Sequence, residues 1–503
     1  MEHRGSGADG GIRRRIIPVV LFLVLSIAQS AFFLTAFGPM SIPDSDMNAN
    51  SAYALATGQA FNATTTVTDG HGNRVRIQRI TGDARLLQNR GNRNETVMWL
   101  LADVLHRGDW ALPAQKAVDA RRFAVVTIPN VNVSSRTNQY LPVIYLPQAT
   151  GIALALHTGQ SPFTVWQWGR LSGLLVFLAV FALAILLAPR GRFALAAIGV
   201  MPPVVFIASS LMPDGLFLAV SAVFLALLLR WTDRDRPLTA VQIALAAVCI
   251  TLLFFCKVVY ATEALLLLCL PDRVLPLRRK IVCTLVSALA TVPLYAFWAR
   301  RFMGLLAIVN VHDNLAYAAS HAGSSIALLL WNVAITIPRV IRQSFLVAPL
   351  TAGAATLGAA TAVVITCHGR RTRGAPSVSV GRRGVGTYRY LLAAVVIVVV
   401  VLVLVCVPLL LTWNDLSTMR VPSSMDGIQG RYLLPLLPLL LCLEMPAPAS
   451  GGLQTPDGIR PPVDATARRG ASSSAPARIA THAQGHFEEP DGSSLTRQAL
   501  PRA

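Results

Sequence analysis

Apolar runs long enough to cross a lipid bilayer recur throughout this chain of 503 residues, and they restrict its fold more than any other feature. A helix of about 20 apolar residues crosses the hydrocarbon core, where each backbone polar group must find its hydrogen-bond partner within the protein. Hydrophobic residues make up 54% of the chain and charged residues only 14%. We therefore predict an all-α polytopic membrane protein.

The first apolar run, residues 16–37, follows the basic segment Arg13-Arg14-Arg15. A positive flank before an apolar segment is typical of a signal sequence, but this run exceeds the usual apolar region of roughly 7–15 residues. We interpret it as an uncleaved signal-anchor transmembrane helix that leaves residues 1–15 in the cytoplasm. Residues 38–164 then form a large first extracytoplasmic loop, in which we expect interfacial helices at residues 52–55 and 96–105.

Residues 140–158 contain two prolines and fit either a short span or an interfacial or re-entrant segment. Taking them as interfacial gives about ten transmembrane helices and a multi-helix transmembrane region over residues 165–445. The ten cover residues 16–37, 165–188, 193–210, 214–230, 238–256, 259–270, 281–298, 345–366, 390–412 and 432–445. Residues 446–503 are rich in Pro, Ala, Gly and Ser, so we expect a disordered cytoplasmic tail.

The net charge of +20 is explained by loops on the cytoplasmic side of this membrane topology. The arginines cluster in short segments between apolar runs, as the positive-inside rule requires, and do not follow one soluble face. All seven cysteines lie in or beside apolar runs, so neither a disulfide framework nor a paired-cysteine metal site is indicated. The composition therefore favours membrane lipid as a partner and argues against nucleic acid.

Two carboxylates just beyond the signal anchor, Asp44 and Asp46, are the first candidates for chemistry. Their spacing lets both hold a divalent cation if the backbone turns, or lets one act as a base while the other orients it. The structural alternative is that Asp44 caps a helix that begins near Met47.

A second candidate is the segment Gly427-Ile428-Gln429-Gly430-Arg431-Tyr432, which leads into the last apolar run. An arginine flanked by glycine at the outer membrane surface can bind a phosphate bidentately, with Gln429 adding a hydrogen bond, and the two glycines permit close backbone approach. The alternative is that Arg431 and Tyr432 only anchor the span at the headgroup level.

Further charged residues lie at the predicted outer ends of spans. Charges near the membrane are costly, so each is a functional candidate by default. They are Arg170, Asp214, Lys257 and Glu263, and for each a structural ion pair is the alternative, for instance Lys257 with Glu263 or Asp214. Arg300 and Arg301 end a span on the predicted outer side, either as a tolerated exception to the positive-inside rule or as cations kept there for an anionic group.

Several of these segments together resemble the domain-of-unknown-function-2142 (DUF2142) family of bacterial membrane proteins. The resemblance covers about residues 10–445; the segment from Gly427 to Pro435 belongs to it, and its Gln429-Gly430-Arg431-Tyr432 stretch is the most specific part. The other segments that carry it are the signal anchor, Pro43-Asp44, the Tyr-Leu-Pro segment after residue 140, Arg170 and Pro213-Asp214-Gly215. This chain has Ser45 and Asn48 where family members usually have an acidic residue and a histidine.

That family looks related to the GT-C glycosyltransferases, which take sugars from polyprenyl-phosphate donors at the outer membrane face. The resemblance implies a GT-C-like fold with Asp44 at the acidic catalytic position. We then expect an inverting glycosyltransferase of the cell membrane that acts on a cell-envelope glycan or glycolipid, as in polysaccharide biosynthesis. Arg431, then Arg170, Lys257 and the pair Arg300 and Arg301, would stabilise the leaving phosphate. Such a reaction requires no metal, although the aspartate spacing permits a divalent ion.

A non-catalytic role is the second hypothesis. The chain would then be a carrier or flippase for lipid-linked saccharides, or an assembly factor for envelope polysaccharide. Such a transporter is expected to have matched halves with broken helices, and no matched halves are found in the sequence.

Overall fold

The computed structural model describes residues 6–40, 45–88, 119–129, 140–302, 307–346 and 385–444. The predicted tail, residues 446–503, and the predicted interfacial helix at 96–105 lie outside these residues. The α-helices are α1 (Ser6–Ala36), α2 (Ser45–Ala56), α3 (Ala84–Leu87), α4 (Leu146–His157), α5 (Pro162–Leu187), α6 (Arg192–Gly199), α7 (Pro202–Ala208), α8 (Asp214–Thr232), α9 (Ala240–Cys256), α10 (Leu277–Arg301), α11 (Val311–Ser320), α12 (Ala322–Leu346) and α13 (Val385–Trp413). Short 3-10 helices cover Gln59–Phe61, Pro142–Tyr145, Val258–Cys269, Gly430–Tyr432 and Leu434–Glu444.

Five of these helices are long and apolar enough to cross a membrane. They lie in α1, α5, α8, α10 and α13, and they confirm the spans predicted at residues 16–37, 165–188, 214–230, 281–298 and 390–412. The helices α11 and α12 make a sixth candidate, although the chain bends by 108° between them. The chain is therefore a multispanning membrane protein.

The prediction of ten spans is not confirmed by the described residues. The predicted span 193–210 is divided into α6 and α7, because Pro202 and Pro203 cannot continue the preceding helix. The helix α9 has 17 residues, and the predicted spans 259–270 and 432–445 form 3-10 helices. Since a 3-10 helix rises about 2.0 Å per residue, 12 residues still reach roughly 24 Å. Most of the predicted span 345–366 lies outside the described residues.

The expectation of an all-α chain is wrong for the first loop, which contains a three-stranded antiparallel sheet. Its strands are β1 (Thr64–Thr68), β2 (Arg74–Asp83) and β3 (Val125–Pro129), in the order β1-β2-β3. Thr66 pairs with Arg76 and Ile80 with Ile128. Threonine, valine and isoleucine dominate these strands, and their branched side chains suit a pleated surface. The residues predicted as helical at 52–55 lie in α2, as expected.

One end of the helix bundle is rich in arginine, and we call it the basic end. Arg15 lies near the start of α1, Arg192 at the start of α6 and Arg230 near the end of α8. Partial burial and the charges of Arg15 and Arg230 lower the pKa of Arg192, and such charges act only over a short distance, so these three helix ends lie together. Arg190 pairs with Asp233 at the same end. Other chain segments are tied there by Leu238 N to Val274 O at 2.9 Å, Thr232 Oγ1 to Tyr390 Oη at 2.7 Å, and Lys280 Nζ to Asp272 Oδ1 at 2.7 Å.

The opposite end, which we call the loop end, carries α2, the sheet and α11. Thr64 Oγ1 donates to Arg301 O at 2.9 Å, which attaches β1 to the end of α10. Ile308 N donates to Thr412 O at 2.9 Å, so the end of α13 lies there too. The start of α8 is buried at this end among α2, α4 and α5, and α8 is the most enclosed of the five spans.

Candidate functional site

The helix α2 is short and polar, yet it is buried at the loop end. Ser45, Asn48 and Ser51 are all buried, with side chains that need hydrogen-bond partners. Tyr145 Oη donates to Asn48 Oδ1 at 2.8 Å, and Asn48 Nδ2 donates to Met212 Sδ at 3.2 Å. A buried polar helix face is costly to maintain, so it marks this region as a candidate site.

Met212 is the point at which four chain segments meet. Its sulfur accepts from Asn48 of α2 and, at 3.6 Å, from the Arg431 guanidinium. Its backbone oxygen accepts from Gln148 Nε2 of α4 at 3.3 Å. The turn before α8 therefore connects α2 with the segment that contains Arg431, although these lie near opposite ends of the chain.

Two cations lie against one aromatic ring beside this junction. Lys257 Nζ lies 4.0 Å from the Tyr432 ring centroid, and the guanidinium carbon of Arg431 lies 5.5 Å from it. Tyr260 Oη donates to Tyr432 O at 3.0 Å and holds this turn in place. Lys257 has an extended backbone. It directly follows the last residue of α9 and directly precedes the first residue of the next 3-10 helix.

Asp214 adds a carboxylate beside Arg431, Lys257 and Tyr432. We call these four residues the Arg431 cluster. Asp214 lies in the first turn of α8 and is only 3% exposed. The pKa of Tyr145 is raised, mainly because the side chain is buried. The charge of Asp214 also raises it, whereas the hydrogen bond with Ser51 and the charge of Arg431 act to lower it. Asp214 and Arg431 also act on the buried Tyr140, so both charges lie close to this tyrosine pair.

The predicted catalytic residues lie at the start of α2. Asp46 is half-buried in its first turn. Asp44 directly precedes the helix but lies outside the described residues, so its helix-capping and catalytic alternatives both remain predictions. Since Asn48 touches the same sulfur as Arg431, the start of α2 and the Arg431 cluster belong to one region of the molecule.

The cluster has the chemistry of an anion site. Two cations at half-buried positions attract phosphate more strongly than they do in water, because the surrounding dielectric constant is lower. Four tyrosines, at positions 140, 145, 260 and 432, supply hydroxyl groups and ring faces around them. Among the described residues, no group of three or more His, Cys, Asp or Glu could hold a metal ion.

A family model described as "Predicted membrane protein (DUF2142)" matches residues 16–440. The chain belongs to the DUF2142 family. The match covers most of the chain and includes every residue of the Arg431 cluster, and it confirms the resemblance drawn from the sequence. No curated protein and no solved structure matches the chain.

In this DUF2142 member, Arg170 has a structural role that differs from the predicted one. Its side chain is 1% exposed and donates to backbone oxygens of Ser209 at 2.7 Å, Phe37 at 2.9 Å and Phe33 at 3.0 Å. These bonds join α5 to the last turn of α1 and to the end of α7. Because its guanidinium is occupied by the backbone, we withdraw Arg170 as a ligand of the donor phosphate.

Arg300 and Arg301 also lie apart from the cluster. They end α10 with exposed side chains, and the backbone oxygen of Arg301 supports β1. Within the described residues, neither side chain contacts Arg431, Lys257 or Tyr432. The prediction that they join Arg431 at one phosphate is therefore not supported by the geometry.

The glycines of the predicted phosphate segment have a different explanation as well. Gly427 has a φ of +87°, a backbone conformation that residues with a side chain rarely adopt. A Cβ added to it would lie 3.1 Å from Cδ2 of Leu409. Its backbone and its packing against α13 thus account for the glycine. Gln429 is half-buried directly before the 3-10 turn that carries Arg431.

Sequence reasoning missed several residues of the site. Tyr140 and Tyr145 lie in the Pro-interrupted segment 140–158, and Met212 directly precedes Pro213-Asp214, but the sequence marks none of the three as a site residue. Tyr260 lies three residues after Lys257 in an apolar run, where an aromatic residue is usually a core residue. The available signal was a tyrosine close to a charge or a proline at a span end, as for Tyr260 after Lys257 and for Tyr140 and Tyr145 beside Pro142 and Pro147.

Proposed function

We propose that this DUF2142 member is an inverting membrane glycosyltransferase. It takes a sugar from a polyprenyl-phosphate donor and transfers it to a cell-envelope glycan or glycolipid. We further propose that the loop end faces the extracytoplasmic side and that the basic end faces the cytoplasm, with the N-terminus. The concentration of arginines at the basic end supports this orientation.

The observation that carries the proposal is the convergence of Arg431 and Lys257 beside a helix that starts directly after Asp44. Both cations lie against the Tyr432 ring, and Arg431 reaches α2 through Met212. A lipid-linked phosphate at the membrane edge needs such cations, and an acceptor hydroxyl needs a nearby carboxylate.

The reaction follows from these roles. Asp44 or Asp46 accepts the proton of an acceptor hydroxyl while its oxygen attacks the anomeric carbon of the donor sugar. The bond from that carbon to the phosphate oxygen breaks, which inverts the anomeric configuration and releases polyprenyl phosphate. Arg431 and Lys257 stabilise the negative charge that the leaving phosphate gains. The scheme requires no metal, although the Asp44-Ser45-Asp46 spacing permits a divalent ion.

The test replaces the two aspartates by asparagine, singly and together, and follows transfer of label from a polyprenyl-phosphate sugar in membranes. Loss of the general base lowers the rate by about 10²–10⁴-fold. Asp313→Asn is the matched control, because Asp313 also lies in the first turn of a loop-end helix.

Transfer at the wild-type rate by the Asp44→Asn/Asp46→Asn variant would refute the assignment of the base. Label that crosses the membrane without forming a new glycosidic bond would favour the carrier instead. Retained activity in the control and loss in the double variant support the transferase.

A further inference from the structure

A pocket of about 240 Å³ lies at the loop end, outside the Arg431 cluster. It is formed by α11, the start of α12 and the loop that follows α13. Its polar lining consists of Tyr317, Ser324, Ser325 and Arg420, and its apolar lining includes Leu328, Leu416 and Met419. A mixed lining of hydroxyls, one guanidinium and apolar side chains suits a small polar ligand.

The loop that forms one wall, residues 414–429, is fixed by buried asparagines. Asn314 Nδ2 donates to Asn414 O at 2.7 Å, and Asn314 Oδ1 accepts from Leu416 N at 3.0 Å. Asn332 Oδ1 accepts from Met425 N at 2.8 Å. Because each amide bonds the backbone of the loop, the lining residues are held in place before any ligand binds.

The same bracing continues to the end of the loop. Asn414 Oδ1 accepts from Asp426 N at 2.9 Å, and Trp331 Nε1 donates to Pro422 O at 2.9 Å. The next residues lead directly to Gln429 and Arg431. One rigid loop therefore forms the pocket wall and presents the proposed phosphate ligand.

Arg420 is oriented by the loop it belongs to. Its Nη1 donates to Ser417 O at 3.0 Å and to Met419 O at 2.6 Å. The Nε and Nη2 groups make no hydrogen bond to any residue that the structure describes. This edge of the guanidinium is the pair of parallel donors that binds a carboxylate or phosphate bidentately.

Two other hydroxyl side chains, Tyr317 and Ser324, line the pocket together with Arg420. Ser324 Oγ donates its proton to His321 O at 2.9 Å, so its lone pairs can accept a hydrogen bond from a ligand. Ser325 also belongs to the lining, but its hydroxyl oxygen is shielded from solvent. Arg420 thus provides an anion donor, and Tyr317 and Ser324 provide hydroxyls, in one pocket.

We propose that this pocket binds an anionic sugar residue of the acceptor. This inference rests on the proposed function, and it names the acceptor class as a glycan with carboxylate or phosphate groups. The volume is below the roughly 300–1,000 Å³ of typical ligand pockets, so it fits one sugar ring rather than an oligosaccharide. Arg420 binds the charged group, while Tyr317 and Ser324 bind ring hydroxyls.

The test measures binding of methyl β-glucuronide to the purified full chain in detergent by saturation-transfer NMR. Methyl β-glucoside is the neutral comparison, and glucose 6-phosphate distinguishes a phosphate from a carboxylate. Glycerol 1-phosphate represents a lipid headgroup. We expect the glucuronide or the sugar phosphate to bind about tenfold more tightly than the glucoside, as for a hydrogen bond to a charged group.

The variants are Arg420→Ala and Arg420→Lys, with Arg301→Ala as an exposed loop-end control. Both Arg420 variants should weaken binding of the charged sugar, the alanine by about tenfold and the lysine less, because lysine keeps the charge but loses the paired donors. Arg301→Ala should bind as the wild type does. Equal binding by Arg420→Ala, or equal binding of glucoside or glycerol 1-phosphate, overturns the inference.

The variant Arg431→Ala separates this inference from the proposed function. It should transfer sugar from the lipid-linked donor about tenfold to a hundredfold more slowly while still binding the charged sugar. A wild-type chain that transfers sugar but binds none of the charged sugars would refute only the pocket assignment. Arg420-dependent binding by a chain without transferase activity would refute the transferase and the acceptor role, and would leave a saccharide-binding site.

Discussion

Lys257 Nζ lies 4.0 Å from the centre of the Tyr432 ring, and this contact connects two segments of the candidate site that are distant in sequence. Lys257 follows α9, whereas Tyr432 belongs to the 3-10 turn that also carries Arg431. The ring face attracts both cations and so reduces their mutual repulsion. An anion that binds here meets two positive charges already held in position.

We predict that the Arg431 cluster depends on guanidinium geometry as well as charge. Arg431→Ala should lower kcat/KM for the lipid-linked donor by about tenfold to a hundredfold, the value of one hydrogen bond to a charged group. Arg431→Lys should restore part of the loss, because lysine keeps the charge without the paired donors. Initial rates of transfer in membranes measure both, and equal rates for wild type and Arg431→Ala would contradict the assignment.

The Tyr432 ring is expected to position the cations. Tyr432→Phe keeps the ring face, so its transfer rate should stay close to that of the wild type. Tyr432→Leu removes the ring, and we expect a rise in KM for the donor, since the cation–aromatic contact is worth about 0.5–2 kcal/mol. If the two variants have the same KM, the ring contact with Lys257 has no role in donor binding.

Arg170 is expected to affect stability rather than chemistry. Arg170→Met leaves the oxygens of Phe33, Phe37 and Ser209 without their buried donor, and each loss costs about 1–3 kcal/mol. The variant should unfold at a lower temperature in detergent, and transfer per folded molecule should stay close to wild type. Arg230→Met at the basic end is the control. A fully stable variant without transfer would return Arg170 to the catalytic site.

The contact between α4 and α5 is expected to tolerate no side chain at Gly151. A Cβ there would overlap the backbone oxygen of Trp168 and lie 2.5 Å from Ser172 Oγ. Gly151→Ala should therefore destabilise the protein by about 1–3 kcal/mol. Gly323→Ala is the matched control, because no atom lies within 4 Å of its Cβ position. The unfolding temperatures of Gly151→Ala and Gly323→Ala are the measurement, and equal values for the two variants would contradict this packing.

The proposed orientation predicts which positions are accessible from outside the cell. Gly70→Cys, in the turn between β1 and β2, should react with a membrane-impermeant maleimide in intact cells. Asp235→Cys, at the exposed basic end, should react only after the membrane is permeabilised. The unsubstituted chain provides the background from its own cysteines. The reverse pattern would place the Arg431 cluster on the cytoplasmic side.

The periodic parts of the fold were predictable because each is decided locally. A run of more than 18 apolar residues must form a helix in a bilayer wherever it lies, and the spans in α1, α5, α8, α10 and α13 were found on that basis. Shorter elements were not predictable in this way. Whether residues 193–210 form one helix or two depends on the Pro202-Pro203 break, and β1 to β3 depend on pairing between distant segments.

The candidate site shows the same division. Arg431, Lys257, Asp214 and Tyr432 were recognised as candidates from the sequence, since charge beside a span is costly and therefore noticeable. Arg170 shared that signal, yet its guanidinium bonds the backbone of α1 and α7. A sequence gives the cost of burying an arginine, whereas only the surrounding fold identifies the groups that compensate for it.

From its sequence alone, this chain is a membrane protein with apolar spans, basic loops and a few charged residues that require explanation. Only the tertiary structure decides which of those charges meet. Met212 brings Asn48 and Arg431 together across most of the chain, and Lys257 reaches the ring of Tyr432. The physical reason is that hydropathy is summed over neighbours in sequence, whereas hydrogen bonds and charge contacts act over a few ångströms between segments that the packing of helices brings together.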